Sequence, residues 1–325
     1  MKAAIIGCGL IGQKRAASFP DSVELIGCFD AVSGVAESFA RNFNTKTFSS
    51  VKELLEIQEL DFVVIATRHD SLAYLAIEAL NAGKHVFVEK PGAINHLEFT
   101  KVSEVARKSN LRMHVGYNHR YHPALKLAFK FFTDGSIGEI MFLRGRYGHG
   151  GRLGYEKEWR ADKSKSGGGE LIDQGTHLID LSIGFLGSVD LDYAATPNYF
   201  WEMPVEDNAF ISLRNDAGNI SFLHASCTEW KNMFSLEIYG KTGKLDISGL
   251  GRSYGIETLT LHKMSPEMGP PISETWSYPG PDNSWALEID DFVEDLVTGS
   301  RKSDNLDSSL EVLRVIDEIY SRTKR

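Results

Sequence analysis

Met1-Lys2-Ala3-Ala4-Ile5-Ile6-Gly7-Cys8-Gly9-Leu10-Ile11-Gly12 opens the chain, and the rest of the sequence reads as an addition to it. Residues 2–6 are a short apolar run, the pattern of a buried parallel strand. Gly7, Gly9 and Gly12 then spell G-x-G-x-x-G, and a helix-like stretch runs on through Phe19. In such a turn the first glycine allows the tight bend and the second lets backbone approach a pyrophosphate. The third lets helix and strand pack closely. The helix start adds unpaired N–H groups and a positive dipole end for the phosphates. A second apolar strand, 23–29, ends in Asp30, whose carboxylate can accept hydrogen bonds from both hydroxyls of an adenosine ribose. The same charge repels a 2′-phosphate, and Ala31 and Val32 bring no arginine to receive one. The spacing therefore predicts NAD rather than NADP, with Gly7, Gly9, Leu10, Ile11, Gly12 and Asp30 as cofactor contacts.

At 325 residues the chain is long for one core, which favours two domains. Its 42% hydrophobic and 24% charged residues are ordinary for a globular protein. The formal net charge of −9 and the lack of a long basic run argue against a nucleic-acid partner, which needs clustered Lys and Arg. Three cysteines, Cys8, Cys28 and Cys227, make no disulfide framework and point to the cytoplasm. Cys8 reads as a small residue filling a tight turn rather than as a reactive thiol. No apolar stretch reaches membrane-span length and the N-terminus is strand-like, so neither a membrane partner nor a signal peptide is expected.

Strand and helix patterns alternate through the first third: helices at 35–43, 51–57, 72–82 and 94–109, and strands at 61–67, 85–88 and 111–117. Alternation of this kind implies a parallel sheet with right-handed crossovers. The texture then changes. Residues 121–132 read as helix, 139–147 as strand, 148–166 as a long loop and 170–185 as helix. From 189 to about 263, strand-like runs separated by Asn-Asp-Ala-Gly and Gly-Lys-Thr-Gly turns suggest an antiparallel sheet. Five prolines mark 265–283 as loop, and helices follow at 285–297 and 306–321. The expected fold is thus an α/β Rossmann domain over 1–118, followed by an α+β domain over 119–325.

Two constellations carry chemistry. Glu89-Lys90-Pro91 follows the strand 85–88, and ligands of such sheets bind at the carboxyl ends of strands. Lys90 would face the cofactor from a rigid element. The second is Gly167-Gly168-Gly169-Glu170-Leu171-Ile172-Asp173-Gln174-Gly175-Thr176-His177-Leu178-Ile179-Asp180. On a helix Asp173 and His177 are i and i+4 and share a face, and Asp180 could orient the His177 ring. Imidazole suits taking a proton from an alcohol near neutral pH. A structural histidine is the competing reading of this helix taken alone. No Cys or His cluster supports a metal, and none is expected.

Together these features resemble the glucose–fructose oxidoreductase / inositol dehydrogenase (Gfo/Idh/MocA) family. The resemblance rests on Gly7–Gly12, Ala66-Thr67 with His69, Glu89-Lys90-Pro91, Gly116-Tyr117-Asn118-His119-Arg120, and the glycine run leading into Asp173 and His177. It implies a second domain with a large open, mostly antiparallel sheet, often used to form oligomers, here a homodimer or homotetramer. It adds Ala66, Thr67, His69, Glu89, Lys90 and Asn118 to the cofactor contacts. It implies hydride transfer between NAD(P) and a sugar or cyclitol carbon. Lys90 would meet the reacting hydroxyl, and Asp173 and His177 would hold substrate and shuttle the proton. His177 would take the proton, with Lys90 as the alternative carrier.

The segment 144–160 concentrates Arg144, Arg146, Arg152 and Arg160 with Tyr147, Tyr155 and Trp159. Arginine clamps phosphates and aromatics stack on a base or sugar. Arg152, Tyr155, Trp159 and Arg160 are therefore expected substrate contacts beside Lys90, Asp173 and His177. An exposed loop of solvated arginines, or an oligomer contact, fits the same residues. The segment also resembles sugar-nucleotide 3-dehydrogenases of the family, which oxidise UDP-N-acetylglucosamine at C3. Alternatives are a dehydrogenase of a free sugar or inositol, a ketosugar reductase, an NAD-dependent glycoside hydrolase and a non-catalytic dinucleotide-binding regulator.

Overall fold

The structure, a computed structural model, describes residues 1–267 and 269–323. Met268, inside the expected loop 265–283, lies outside them, as do positions 324 and 325 of the expected second domain. The chain divides into two compact units: Met1–Tyr117 with Trp285–Leu310, and Asn118–Ser284 with the chain from Glu311 onward.

The first unit is built on a parallel sheet of β1 (Lys2–Ile6), β2 (Glu24–Phe29), β3 (Phe62–Ile65), β4 (His85–Glu89) and β5 (Met113–Gly116), in the order β2-β1-β3-β4-β5. Helices α1 (Leu10–Ala17), α2 (Ser33–Phe43), α3 (Val51–Leu55), α4 (His69–Asn81) and α5 (His96–Ser109) alternate with the strands. β3 and β5 are buried along their whole length, and β3, Phe-Val-Val-Ile, accordingly reads as an unbroken apolar run. The strand order reverses between β1 and β3, and ligands of open parallel sheets bind at such a switch point. Gly7, after β1, and Ala66, after β3, meet there. A Cβ on Gly7, at φ +97°, would lie 2.5 Å from the Ala66 carbonyl oxygen, and one on Gly12 would lie 1.9 Å from the Gly7 carbonyl oxygen. Only glycine lets α1 start this close to β1.

Arg15, further along α1, is wholly buried. Its Nε donates to Glu89 Oε1 at 2.6 Å and its Nη1 to Glu288 Oε2 at 2.7 Å. The guanidinium carbon lies 4.5 Å from the Phe87 ring centre and 4.4 Å from that of Trp285. Burial pushes the Glu89 carboxyl up despite Arg15, whereas on Glu288 the same penalty is outweighed by Arg15 and His114 and the carboxyl sits below its ordinary range. A Cβ on Gly116 would come within 2.5 Å of Arg15 Nη2, so the glycine that ends β5 makes room for the guanidinium.

The second unit holds an eight-stranded sheet in the order β13-β12-β11-β10-β6-β9-β8-β7. Its strands are β6 (Ile140–Gly148), β7 (Asp190–Ala195), β8 (Asn208–Arg214), β9 (Ile220–Ser226), β10 (Met233–Gly240), β11 (Gly243–Ser248), β12 (Glu257–Lys263) and β13 (Ile272–Tyr278). All neighbours pair antiparallel except β6 with β9. Burial alternates strictly along β10, with Phe234, Leu236 and Ile238 inside. Helices α6 (Pro123–Thr133), α7 (Lys163–Ser166) and α8 (Thr176–Leu186) precede β7. α8 packs on β6 and β9, and α6 on β11, β12 and β13. The opposite face leaves Tyr193, Phe210 and Phe222 exposed.

Three local readings need correction. The proline-rich stretch 265–283 contains the edge strand β13, which pairs with β12, Trp276 opposite Leu259. Its prolines stand before 272 and after 278, where a missing N–H does no harm. The stretch 148–166 is not one loop but holds 3₁₀ turns at Tyr155–Lys157 and Trp159–Ala161 and then α7. A division at 118/119 also misses one excursion. Helix α9 (Ser284–Thr298) takes Trp285 onward into the first unit, while α10 (Leu306–Thr323) is divided at Leu310. Glu288 supplies Arg15's second carboxylate, and Ile289, Phe292 and Val293 join the core around Phe62 and Phe87.

Removing Arg15 would leave two carboxylates buried without their cation. Arg15→Ala is expected to lower stability by about 3–5 kcal/mol in chemical denaturation, and breaking the exposed Lys52–Glu56 pair by less than about 0.5 kcal/mol. Equal effects would show that the Arg15 cluster does not anchor the first unit.

Candidate functional site

In the first unit the glycine turn is open where a phosphate would need it. Nothing lies within 4 Å of a Cβ built on Gly9, and α1 begins at Gly9 with no side-chain cap over its first N–H groups. Leu10 and Ile11 form the first helical positions, and Leu10 is exposed. Asp30 follows β2. Its Oδ2 accepts from Cys8 N at 2.8 Å and its Oδ1 from Val32 N at 2.9 Å. Asp30 thus braces the turn while keeping further lone pairs for a ribose. Thr67 Oγ1 accepts from Ser71 Oγ at 2.8 Å, and His69 starts α4, buried. This set fits a dinucleotide: an uncapped helix start, an open backbone and a carboxylate beyond the next strand. Cys8 is buried, and its hydrogen bond with Cys28 and its burial push the thiol up, which leaves it inert.

Two expected contacts have other commitments. Glu89 is buried and bound by Arg15, so it works as an anchor for the end of β4. Lys90 is the next residue, joined to Pro91 by a cis peptide. Asn118 belongs to the second unit, where its amide donates to Ser284 Oγ at 2.9 Å.

The second unit carries Asp173 and His177. Residues 170–185 are not one α-helix: Leu171–Gly175 is a π turn that runs into α8. Asp173 sits on the π turn and His177 in the first turn of α8, both buried. Arg160 donates through Nε to Asp173 Oδ2 at 2.9 Å, and its guanidinium carbon lies 4.7 Å from the centre of the Trp159 ring. Asp173 in turn raises the Arg160 pKa against the cost of burial. Tyr155 is buried and donates to Glu170 Oε1 at 2.7 Å. Arg152 pairs with Glu158 and is mostly exposed. Arg160 and Asp173 are therefore brought together, Tyr155 is held beside them through Glu170, and Arg152 faces water.

The expectation of one basic patch does not survive. Arg144 and Arg146 point to the open face of the sheet, where Arg144 pairs with Glu237 at 2.8 Å. Alternation along β6 separates them from the inward Tyr147. Asp180, expected to orient the His177 ring, is committed to an arginine. Its carboxylate is gripped by both arms of Arg120, with Nε to Oδ2 at 2.7 Å.

Several residues of this site were given no role of their own by sequence reasoning. His119 stacks on His177 with ring centres 3.8 Å apart and planes 14° apart. Tyr147 meets His177 edge-on at 5.9 Å, and Tyr254 lies 5.0 Å from Tyr147. Glu170, wholly buried, faces Tyr155, Asp173, Cys227, Glu206 and His149. Burial, followed by Asp173, pushes its carboxyl up to about 8. His149 Nδ1 accepts from Gly151 N, which leaves the ring's other nitrogen facing Glu170 at 3.7 Å. The one available signal was an acidic residue directly after three glycines.

Among the described residues no group of three or more His, Cys, Asp or Glu could hold a metal ion, and no helix is long and apolar enough to cross a membrane. Residues 1–117 match the family model described as "Oxidoreductase family, NAD-binding Rossmann fold", and residues 126–246 the "GFO/IDH/MocA C-terminal domain". The chain is 32% identical to the glucose-6-phosphate 3-dehydrogenase of Bacillus subtilis over 184 residues, 55% of this chain and 52% of that protein. It is 31% identical to the levoglucosan dehydrogenase of Pseudarthrobacter phenanthrenivorans over 175 residues, 53% of this chain and 45% of that protein. These matches span about half the length of either curated relative. A solved structure of levoglucosan dehydrogenase with NADH and levoglucosan superposes with a TM-score of 0.89 at 22% identity, covering 99% of this chain and 98% of that one. At that identity it shows the shared fold.

Glu170 offers a pH test. Its carboxyl titrates near 8 when folded, against an ordinary 4.5, so the folded state holds the extra proton across that window. Stability should therefore fall as pH rises from about 4.5 to about 8 and then level off. In Glu170→Gln this part of the slope is expected to vanish from the thermal midpoint measured against pH. Parallel slopes in the two proteins would show that Glu170 is ionised throughout.

Proposed function

Because the chain belongs to the Gfo/Idh/MocA oxidoreductase family, we propose that it is an NAD-dependent dehydrogenase that oxidises a secondary hydroxyl of a sugar or cyclitol to a ketone. The observation that carries this reading is Asp173 and His177 buried on the π turn and α8, with Arg160 binding the carboxylate. Lys90, fixed to the buried Glu89 by one peptide bond, adds the cation. His177 takes the hydroxyl proton. Lys90 stabilises the developing alkoxide by charge and hydrogen bonding, and can take the proton itself if His177 serves only to position. Asp173, oriented by Arg160, holds a neighbouring hydroxyl. NAD, when bound at the glycine turn, supplies the hydride acceptor. Asp30 reads the ribose and selects NAD over NADP.

The finer substrate reading is C3 of a UDP-sugar such as UDP-N-acetylglucosamine. It is supported by Arg160, Trp159 and Tyr155 around Asp173 and weakened by the scatter of Arg144, Arg146 and Arg152. Free sugars, inositols and sugar phosphates are the competing substrates. We also propose a homodimer or homotetramer formed through the open sheet face, where Tyr193, Phe210 and Phe222 stand exposed beside Arg144 and Glu237. Three buried free cysteines suit the cytoplasm.

A panel of UDP-sugars, sugar phosphates, free sugars and inositols with NAD, read by NADH absorbance and product mass, tests the reaction. At least one member is expected to turn over, with His177→Ala and Lys90→Ala each lowering kcat by about 100-fold or more. Full turnover in both variants would remove the proposed site. Turnover of free sugars without response to UDP-sugars would remove the nucleotide-sugar reading. Asp30→Ala should narrow the preference for NAD over NADP, and an unchanged ratio would show that Asp30 does not read the ribose. Phe222→Asp should lower the mass measured by light scattering, and an unchanged assembly would place the contact elsewhere.

A further inference from the structure

We infer that His119 is a positioning residue for His177, holding the His177 imidazole in the plane from which it acts. The inference rests on the proposed role of His177 as the proton acceptor. A histidine's second side-chain torsion is broad, so the ring plane is set by what packs on it. Here one face of His177 is covered by the His119 ring, at 3.8 Å and nearly parallel, with both residues buried. Tyr147 closes on the pair edge-on, 4.8 Å from His119 and 5.9 Å from His177. Phe234 meets His119 at 5.8 Å, perpendicular to it.

His119 lies in the 3₁₀ turn Asn118–Tyr121, and the chain is anchored on its C-terminal side. Arg120, the residue after His119, grips Asp180 with two nitrogens, and Asp180 stands three residues past His177 on α8. A bidentate arginine–carboxylate pair fixes angle as well as distance. Two residues further on, His122 Nδ1 lies 2.8 Å from Glu257 Oε2, while Ala124 N donates to Glu257 Oε1 at 2.7 Å, which ties the turn to β12. Through Arg120, Asp180 thus helps to hold the turn that brings the second imidazole over the first.

The test compares His119→Phe, which keeps a flat ring, with His119→Leu, which fills similar space without one, in the full-length protein. With the best substrate of the panel, His119→Leu is expected to lower kcat about 30-fold while KM stays within about threefold. His119→Phe should recover most of that loss. Equal kcat in the two variants would overturn the proposal. A second readout does not need turnover. In nitrogen–proton correlation spectra, the His177 carbon-bound ring proton should be shifted upfield by the neighbouring ring in wild type and in His119→Phe. In His119→Leu it should move downfield. An unmoved signal in His119→Leu overturns the proposal even if the wild type oxidises nothing in the panel, which is the result that would remove the dehydrogenase reading instead.

Discussion

A guanidinium taken wholly out of water is costly unless every charge it meets is placed for it, and the first unit is arranged around one such group. Arg15 comes from the helix that the glycine turn starts, Glu89 from the end of the strand that leads into Lys90, and Glu288 from a helix nearly 200 residues later in the sequence. Gly116 gives up a side chain so that the guanidinium fits. Helix α1, the end of β4 and α9 are thereby fixed to one another by one cation. Lys90 follows directly on Glu89, which Arg15 holds.

In the second unit the comparable device is smaller and aromatic. Arg160 binds Asp173, Arg120 binds Asp180, and the two ion pairs stand on either side of His177 along one continuous stretch of π and α helix. A π turn at this point adds a residue to the helix, and such turns recur at functional sites. Around it burial, followed by the neighbouring Asp173, pushes the Glu170 carboxyl up.

Much of this was legible in the sequence where a local rule carries the signal. The glycine spacing located the turn between β1 and α1, the apolar runs located β1, β3 and β4, and a helix was legible through Asp173 and His177, though its first turn is π rather than α. What stayed hidden depends on partners distant in the chain. Nothing local marks Arg15 as buried rather than solvated, or Glu288 as its second partner, so the return of 285–310 to the first unit could not be read. Arg144, Arg146, Arg152 and Arg160 look alike as a string, but strand alternation sends the first two to an open face and the loop sends only Arg160 to Asp173. The strand 272–278 was masked by prolines that flank it without interrupting it. His119 stands within the Gly116–Arg120 motif, yet its stack on His177 joins residues far apart in the chain.

The central claim is that hydrogen leaves a sugar carbon for NAD while this chain's residues manage the proton. The most direct measurement uses the substrate found in the panel, deuterated on its ring carbons, incubated with NAD and the full-length protein, with both products weighed by mass spectrometry. The account predicts a ketone that has lost one deuterium and a reduced dinucleotide that has gained it. Deuterium retained in the sugar, or lost to water without reduced dinucleotide accumulating, would contradict it.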